Sequence, residues 1–208
     1  MRTLLSLLLF ALLAASSFAQ GPVKETRIVG DTLLPMRQVV DFGYGPIDLS
    51  TYTVKFTMKA SDGTSTVAAT STGVTAHPTQ TFTASATTDY LTANGHRVKY
   101  GDQVVVSNSG GALPAGLAAS TRYFAVQVGA NTLGLSSVYG GALVDLTDAG
   151  TGTNSLYVVG SVQYAFSTAA VATAGYYRGW FTLTSGMSVE TWPASQYGIP
   201  IEVRTLGN

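Results

Sequence analysis

Residues 51–59 read TYTVKFTMK, and the alternation is strict: Tyr52, Val54, Phe56 and Met58 fall on one side, Thr51, Thr53, Lys55, Thr57 and Lys59 on the other. A period of two fits a strand with one buried and one wet face, and it excludes the 3.6-residue repeat of an amphipathic helix. The pattern returns near the far end of the chain. SVQYAFS puts Val162, Tyr164 and Phe166 together, GYYRGWFTLTS sets Tyr177, Gly179, Phe181 and Leu183 against Tyr176, Arg178, Trp180 and Thr182, and IPIEVRTL aligns Ile199, Ile201 and Val203. A strand with one apolar face needs other strands to cover it. The simplest arrangement pairs the late strands with those of residues 23–75, including a short one in MRQVVDF, as an antiparallel β-sandwich whose halves are separated in sequence. DFGYGPIDLS at 41–50 and SDG at 61–63 are the expected loop and turn around the alternating strand, and STAAVATAG is expected to be a loop, with a turn of helix as the alternative. Trp180, Phe181, Tyr164 and Phe56 are the expected core aromatics.

The middle of the chain has another texture. Between residues 76 and 159 lie GDQVVVSN, RYFAVQV, NTLGLSS, ALVDLTD and NSLYVVG, short apolar runs separated by turn clusters. Such spacing predicts a compact all-β module inserted into a loop of the sandwich, since the two ends of a surface loop lie close enough to accept a passenger. The expected organisation is therefore an apolar segment at 1–19, a first sandwich half at 20–75, the inserted module at 76–159 and a second half at 160–208.

Charged residues make up 11% of the chain, with 11 basic side chains balancing 11 acidic ones. No electrostatic footprint for nucleic acid or an anionic membrane can be assembled from that. With no cysteine, a disulfide framework, a thiolate nucleophile and a zinc knuckle are all excluded. His77 and His96 stand far apart, outside any metal-binding spacing, and surface or capping roles are expected for both. No G-x-S-x-G elbow occurs. Asp145 and Asp148 form the one close carboxylate pair beside a glycine-rich turn, and Asp148 is expected to bond its own backbone in an Asx turn rather than to hold calcium. NGHRVKYGD could attract an anion, but Asp89 and Asp102 flank it, and a solvated hairpin is the expectation. GDQVVVSNSGGALPAGL lacks the following helix and the lysine of a phosphate loop. Gly110 and Gly111 are expected to supply positive φ in a turn, and Pro114 with Gly116 a second corner. No catalytic, cofactor-binding or metal-ligating residue is assigned.

MRTLLSLLLFALLAASSFA at the start has one basic residue, an apolar run and small residues before Gln20, the layout of an export signal cleaved after Ala19. The competing expectation is an apolar helix that is retained and docks into a partner. Nothing else in the chain is long and apolar enough to span a bilayer as a helix.

Residues 101–156 resemble a small β-module that recurs in tailed-phage tail and fibre proteins: Gly101 and Asp102 before a strand, the Leu113 to Leu117 corner, a strand from Thr121 to Val126 with Phe124 in the second aromatic place, a strand from Asn131 to Leu135, and the closing run from Asp148 to Thr153. The flanks, GDTLLPMRQVVDFGYGPIDLSTYTVKFTMKASDG at 30–63, GSVQYAFSTAAVATAGYYRGWFTLT at 160–184 and ETWPASQYGIPIEV at 190–203, are similar to the immunoglobulin-like domain of phage baseplate upper proteins. The resemblance implies a structural virion part without an active site or cofactor, assembling with copies of itself and with other virion proteins. An export signal departs from that pattern. It points instead to a secreted β-sandwich binding module, with a host-surface glycan as ligand and Tyr44, Tyr139 and Tyr197 as stacking platforms.

Overall fold

The computed structural model describes residues 22–205. The apolar segment at 1–19, with its expected helix or export signal, lies outside them. Among the described residues the chain is all-β apart from one 3-10 turn at Thr168–Val171, the alternative rather than the loop expected for STAAVATAG; it is capped by Ser167 Oγ accepting from Ala170 N.

One body is built from both ends of the chain. Its larger sheet runs β1 (Glu25–Ile28), β15 (Ile199–Arg204), β13 (Gly175–Ser185), β3 (Thr53–Ala60) and β4 (Thr66–Thr70), and β14 (Ser188–Trp192) also pairs with β13. β13 is the axis of this sheet. Along one edge it pairs with β3 from Tyr177 to Thr184, while its other edge serves β15 over Gly175–Gly179 and then β14 over Phe181–Ser185. The smaller sheet is β2 (Met36–Val39), β12 (Ser161–Tyr164) and β5 (Val74–Ala76). Early and late strands therefore pair as the alternation requires, with one difference. β1 runs parallel to β15, in register from Glu25 opposite Ile201 to Ile28 opposite Arg204, so the sheet is mixed rather than purely antiparallel.

The two sheets share one core in a sandwich-like layering. Val54, Phe56 and Met58 of β3, Phe181 and Leu183 of β13, and Ile199, Ile201 and Val203 of β15 meet Met36 of β2 and Val162 and Tyr164 of β12. Phe56 is the hub of the contact: its ring stacks on Tyr164 at 4.2 Å and lies 5.1 Å from Phe181 and 6.2 Å from Phe166. Trp180 is not in this core. Alternation along β13 sends Tyr177, Gly179, Phe181 and Leu183 inward, and Trp180 lies half-buried on the outer face, its Nε1 donating to the Ser195 carbonyl at 3.2 Å. The buried indole is that of Trp192, whose Nε1 donates to the Asp41 carbonyl at 3.0 Å and so holds the 41–46 loop against the body.

The intervening strands close on themselves. β6 (Gln80–Ser85), β7 (Tyr90–Thr92), β8 (Gln103–Ser109), β9 (Arg122–Val126), β10 (Thr132–Ser136) and β11 (Thr153–Val158) form a barrel in the order β10-β7-β6-β11-β8-β9, every pair antiparallel. Closure leaves this small sheet no free edge. Its interior is a second core, with Val104, Val106, Ala125, Leu133, Leu135 and Leu156 among its members. The Gly-rich loop after β8 belongs to this barrel and contains two different kinds of glycine. Gly110 has φ +76, as expected of a turn residue, but Gly111 does not; a Cβ there would come within 2.4 Å of Thr151. The second corner is a β-turn, Leu117 N donating to the Pro114 carbonyl at 3.0 Å, with Gly116 at φ +104 in the third position, where a type II turn needs it.

Candidate functional site

The barrel joins the other body through residues 77–79, after β5, and residues 159–160, before β12. Since β5 and β12 are hydrogen-bonded neighbours, the two connections run side by side. His77 ties them together. Its Nε2 accepts from Leu49 N and from Gly160 N, each at 3.2 Å, its own N donates to the Ser161 carbonyl at 2.8 Å, and its ring stacks on Tyr157 of β11 at 4.5 Å. Burial lowers the pKa of the imidazole below its usual value, with Asp48 opposing the shift from 3.7 Å. A surface or capping role was expected for His77; its imidazole caps two backbone amides and, with the side chain largely buried, is the structural knot of the neck. Gly160 completes the knot at φ +74, where a Cβ would approach the Val40 carbonyl to 2.8 Å.

Beside the neck, a cavity of about 360 Å³ opens between the two bodies. Arg27 of β1 and Arg37 and Gln38 of β2 supply one wall; the segment 96–99, Asp102 and Tyr157 supply the other. Several of these side chains are held by specific partners. Gln38 pairs through both ends of its amide with the N and O of Val23, 3.1 Å each, fixing the incoming chain along the rim. Arg27 is 4% exposed, its guanidinium 2.5 Å from Glu25, 3.8 Å from Asp31 and 4.9 Å above the Phe166 ring. Arg37 donates from Nε to Gln163 at 3.1 Å; burial and the neighbouring positive charge of Arg97 lower its pKa. Asp102 accepts from Lys99 N at 2.8 Å, and burial pushes its carboxyl above the usual range.

The segment NGHRVKYGD forms no solvated hairpin. It lies along the cavity as irregular chain, and His96, expected in a surface or capping role, is 4% exposed, its Nδ1 accepting from Val98 N at 2.9 Å. The turn at 94–97 tucks the ring inward: Gly95 and Arg97 both adopt positive φ, +64 and +55. Sequence reasoning missed the cavity because its walls come from β1, β2 and the barrel, and no spacing in the chain announces their meeting.

The other residues singled out in the sequence are dispersed. Asp148 does make an Asx turn, accepting from Gly150 N at 2.8 Å, and also accepts from Ala115 N at 2.9 Å, which ties the closing run to the Pro114 corner and holds its carboxyl below the usual range. Asp145 is exposed, and among the described residues no group of three or more histidines and acids could hold a metal ion. Tyr44, Tyr139 and Tyr197 are all exposed but form no common platform. Tyr197 lies 5.2 Å from the Arg178 guanidinium, whereas Tyr139 meets Tyr100 at 5.8 Å and Phe124 at 5.9 Å. Tyr139 and Tyr100 interlock, each ring resting on the glycine that follows the other, Gly101 and Gly140. No protein-family description, curated protein or solved structure matches this chain, so its chemistry rests on these geometries. No described helix is long and apolar enough to cross a membrane.

Proposed function

We propose that this chain is a non-enzymatic structural component of a tailed-phage particle, a tail, baseplate or fibre-attachment adaptor that works by assembling with copies of itself and with other virion proteins. In this reading the two-sheet body is an immunoglobulin-like docking domain and the barrel is the part it displays. The observation that carries the reading is the neck: a closed barrel with its own core is hung from a framework by two short adjacent connections knotted at His77 and Gly160. That construction fixes the position of a projecting unit and serves architecture rather than turnover. Exposed apolar side chains at Leu33 and Leu34, and at Met187 and Val189 of the β13–β14 hairpin, supply surface for neighbours. The test is mass spectrometry of purified particles from the natural source. Stoichiometric recovery of peptides from both flanks and the barrel is expected; absence of the protein from intact particles would overturn the reading. The same spectra address location, since Met1 in particles is incompatible with export and cleavage after Ala19.

A second reading, a secreted module that binds host-surface glycans, draws on the Tyr100–Tyr139–Phe124 cluster, whose two tyrosine rings are more than half exposed and edge-on to one another. A glycan array on the mature protein separates the two. Specific binding abolished by Tyr139→Ala favours the second reading, and silence on the array counts against it.

A further inference from the structure

Behind the wall of the cavity beside the neck lie two donors that have nothing to donate to. Among the described residues, two buried side-chain polar atoms lack a partner, Arg27 Nε and His96 Nε2, and both residues stand in the cavity wall. The character of the histidine atom follows from its other nitrogen. Nδ1 accepts a hydrogen bond from Val98 N, so it carries the lone pair and the ring proton sits on Nε2. Both orphans are therefore N–H groups, and unpaired buried donors are costly and uncommon in a folded protein.

Charge points the same way. Arg37, from the framework, and Arg97, from the barrel, repel each other across the cavity, and among the described residues neither is paired with a carboxylate. The acids nearby are already engaged: Glu25 and Asp31 face Arg27, and Asp102 accepts from Lys99 N. The site thus combines excess positive charge with a volume of about 360 Å³, within the range of small-molecule pockets, and the unsatisfied donors lie sealed behind its surface. Arg97 and Lys99 are exposed at its edge, leaving a route for a ligand to enter.

We propose that this cavity binds a small oxyanion, a phosphate or carboxylate group, clamped between Arg37 and Arg97, with the buried N–H groups of Arg27 and His96 lying behind the wall rather than open to the ligand. Guanidinium groups suit such ligands because their forked N–H geometry matches two oxygens at once. Because the two clamping residues belong to different bodies, the bound anion turns a repulsion across the gap into an attraction and pins the barrel against the framework. The site is independent of whether the protein is a virion part.

The test is isothermal titration of the full chain at low ionic strength with inorganic phosphate and, separately, with succinate. At least one probe is expected to bind saturably, and which one distinguishes phosphate from carboxylate recognition. Arg97→Asn keeps a residue that tolerates positive φ, and together with Arg37→Gln it removes one half of the clamp at a time; each is expected to weaken Kd by at least about tenfold. Lys55→Gln, on exposed β3 surface outside the cavity, should leave Kd unchanged. Far-UV circular dichroism of each variant verifies that it is folded. No saturable binding of either probe, or an Arg97→Asn protein that binds as tightly as wild type, would overturn the proposal.

Discussion

Phe56→Ala is the sharpest perturbation of the framework. The ring is fully buried, stacked on Tyr164 at 4.2 Å and close to Phe181 and Phe166. Beneath it, a Cβ on Gly179 would lie 2.8 Å from the ring, so the aromatic fills the space that the glycine leaves on β13. Removing a buried phenylalanine side chain generally costs about 3–5 kcal/mol, the larger values arising where the surroundings cannot close over the void. β3 is pinned along both edges, by β4 and β13, and the opposing sheet is held by its own pairing, so the upper part of that range is expected, about 4–5 kcal/mol. Against a total of about 5–15 kcal/mol for a typical domain, that removes between roughly a third and nearly all of the framework's stability. Both tryptophans, Trp180 and Trp192, lie in this body, so indole fluorescence during urea unfolding follows the framework, while near-UV circular dichroism also sees the tyrosines of the barrel. The variant should lower the fluorescence midpoint with an unchanged m-value. A loss below about 2 kcal/mol would refute the claim that these rings share one tightly filled core.

Four further outcomes are expected. Trp180→Ala, on the outer face of β13, should cost less than half as much as Phe56→Ala by the same urea titration; an equal cost would return Trp180 to the core. Gly116→Ala would place a methyl 2.2 Å from the Asp145 carbonyl at a φ of +104 and should destabilise the barrel by at least about 2 kcal/mol, read from the tyrosine signal on unfolding, whereas wild-type stability would mean the corner is loose. His77 has its pKa lowered by burial, so the unfolded chain takes up the proton first: the neck is at full strength above a pH of about 6.5 and weakens as the pH falls from there through the folded value. The protection factors of the Gly160 and Leu49 amides, taken relative to the slower intrinsic exchange at lower pH, should accordingly fall on acidification, and protection that stays flat between about pH 7.5 and 5 would contradict the Nε2 acceptor role. Glu202 is held at about 2 by hydrogen bonds from Arg204 and Lys24, so its contribution is complete above the ordinary carboxylate value and is lost as the pH falls toward about 2; Glu202→Gln should flatten the acid limb of the stability curve, and an unchanged limb would mean the pairs are ineffective.

How much the sequence discloses differs from element to element, for physical reasons. β3, β12, β13 and β15 are legible because each has one face on a shared core, and a face repeats every second residue. The same rule places Trp180 outside, and expecting it in the core beside Phe181 gave ring size more weight than period. The parallel run of β1 along β15 leaves no local mark, since pairing direction is decided by how the chain crosses the body. Gly111 looks like a turn glycine, yet it is required by the approach of Thr151, a neighbour forty residues away in sequence. His96 reads as a surface or capping residue because histidine is no regular core type; what tucks it inward is the turn at 94–97, where Gly95 and Arg97 both adopt positive φ.

The route of the strands has a consequence for biosynthesis. All the strands of the barrel lie within residues 80–158, so its ring can close while β12 to β15 are still unmade or inside the ribosome. The framework must wait: β3 can form a hairpin with β4 at once, but its other edge, β1 and β2 emerge early and find partners only in β13, β15 and β12. Until the last stretch is released, three nascent strands carry unpaired backbone and a bare apolar face. This interval is when the chain is most open to aggregation or to capture by a chaperone.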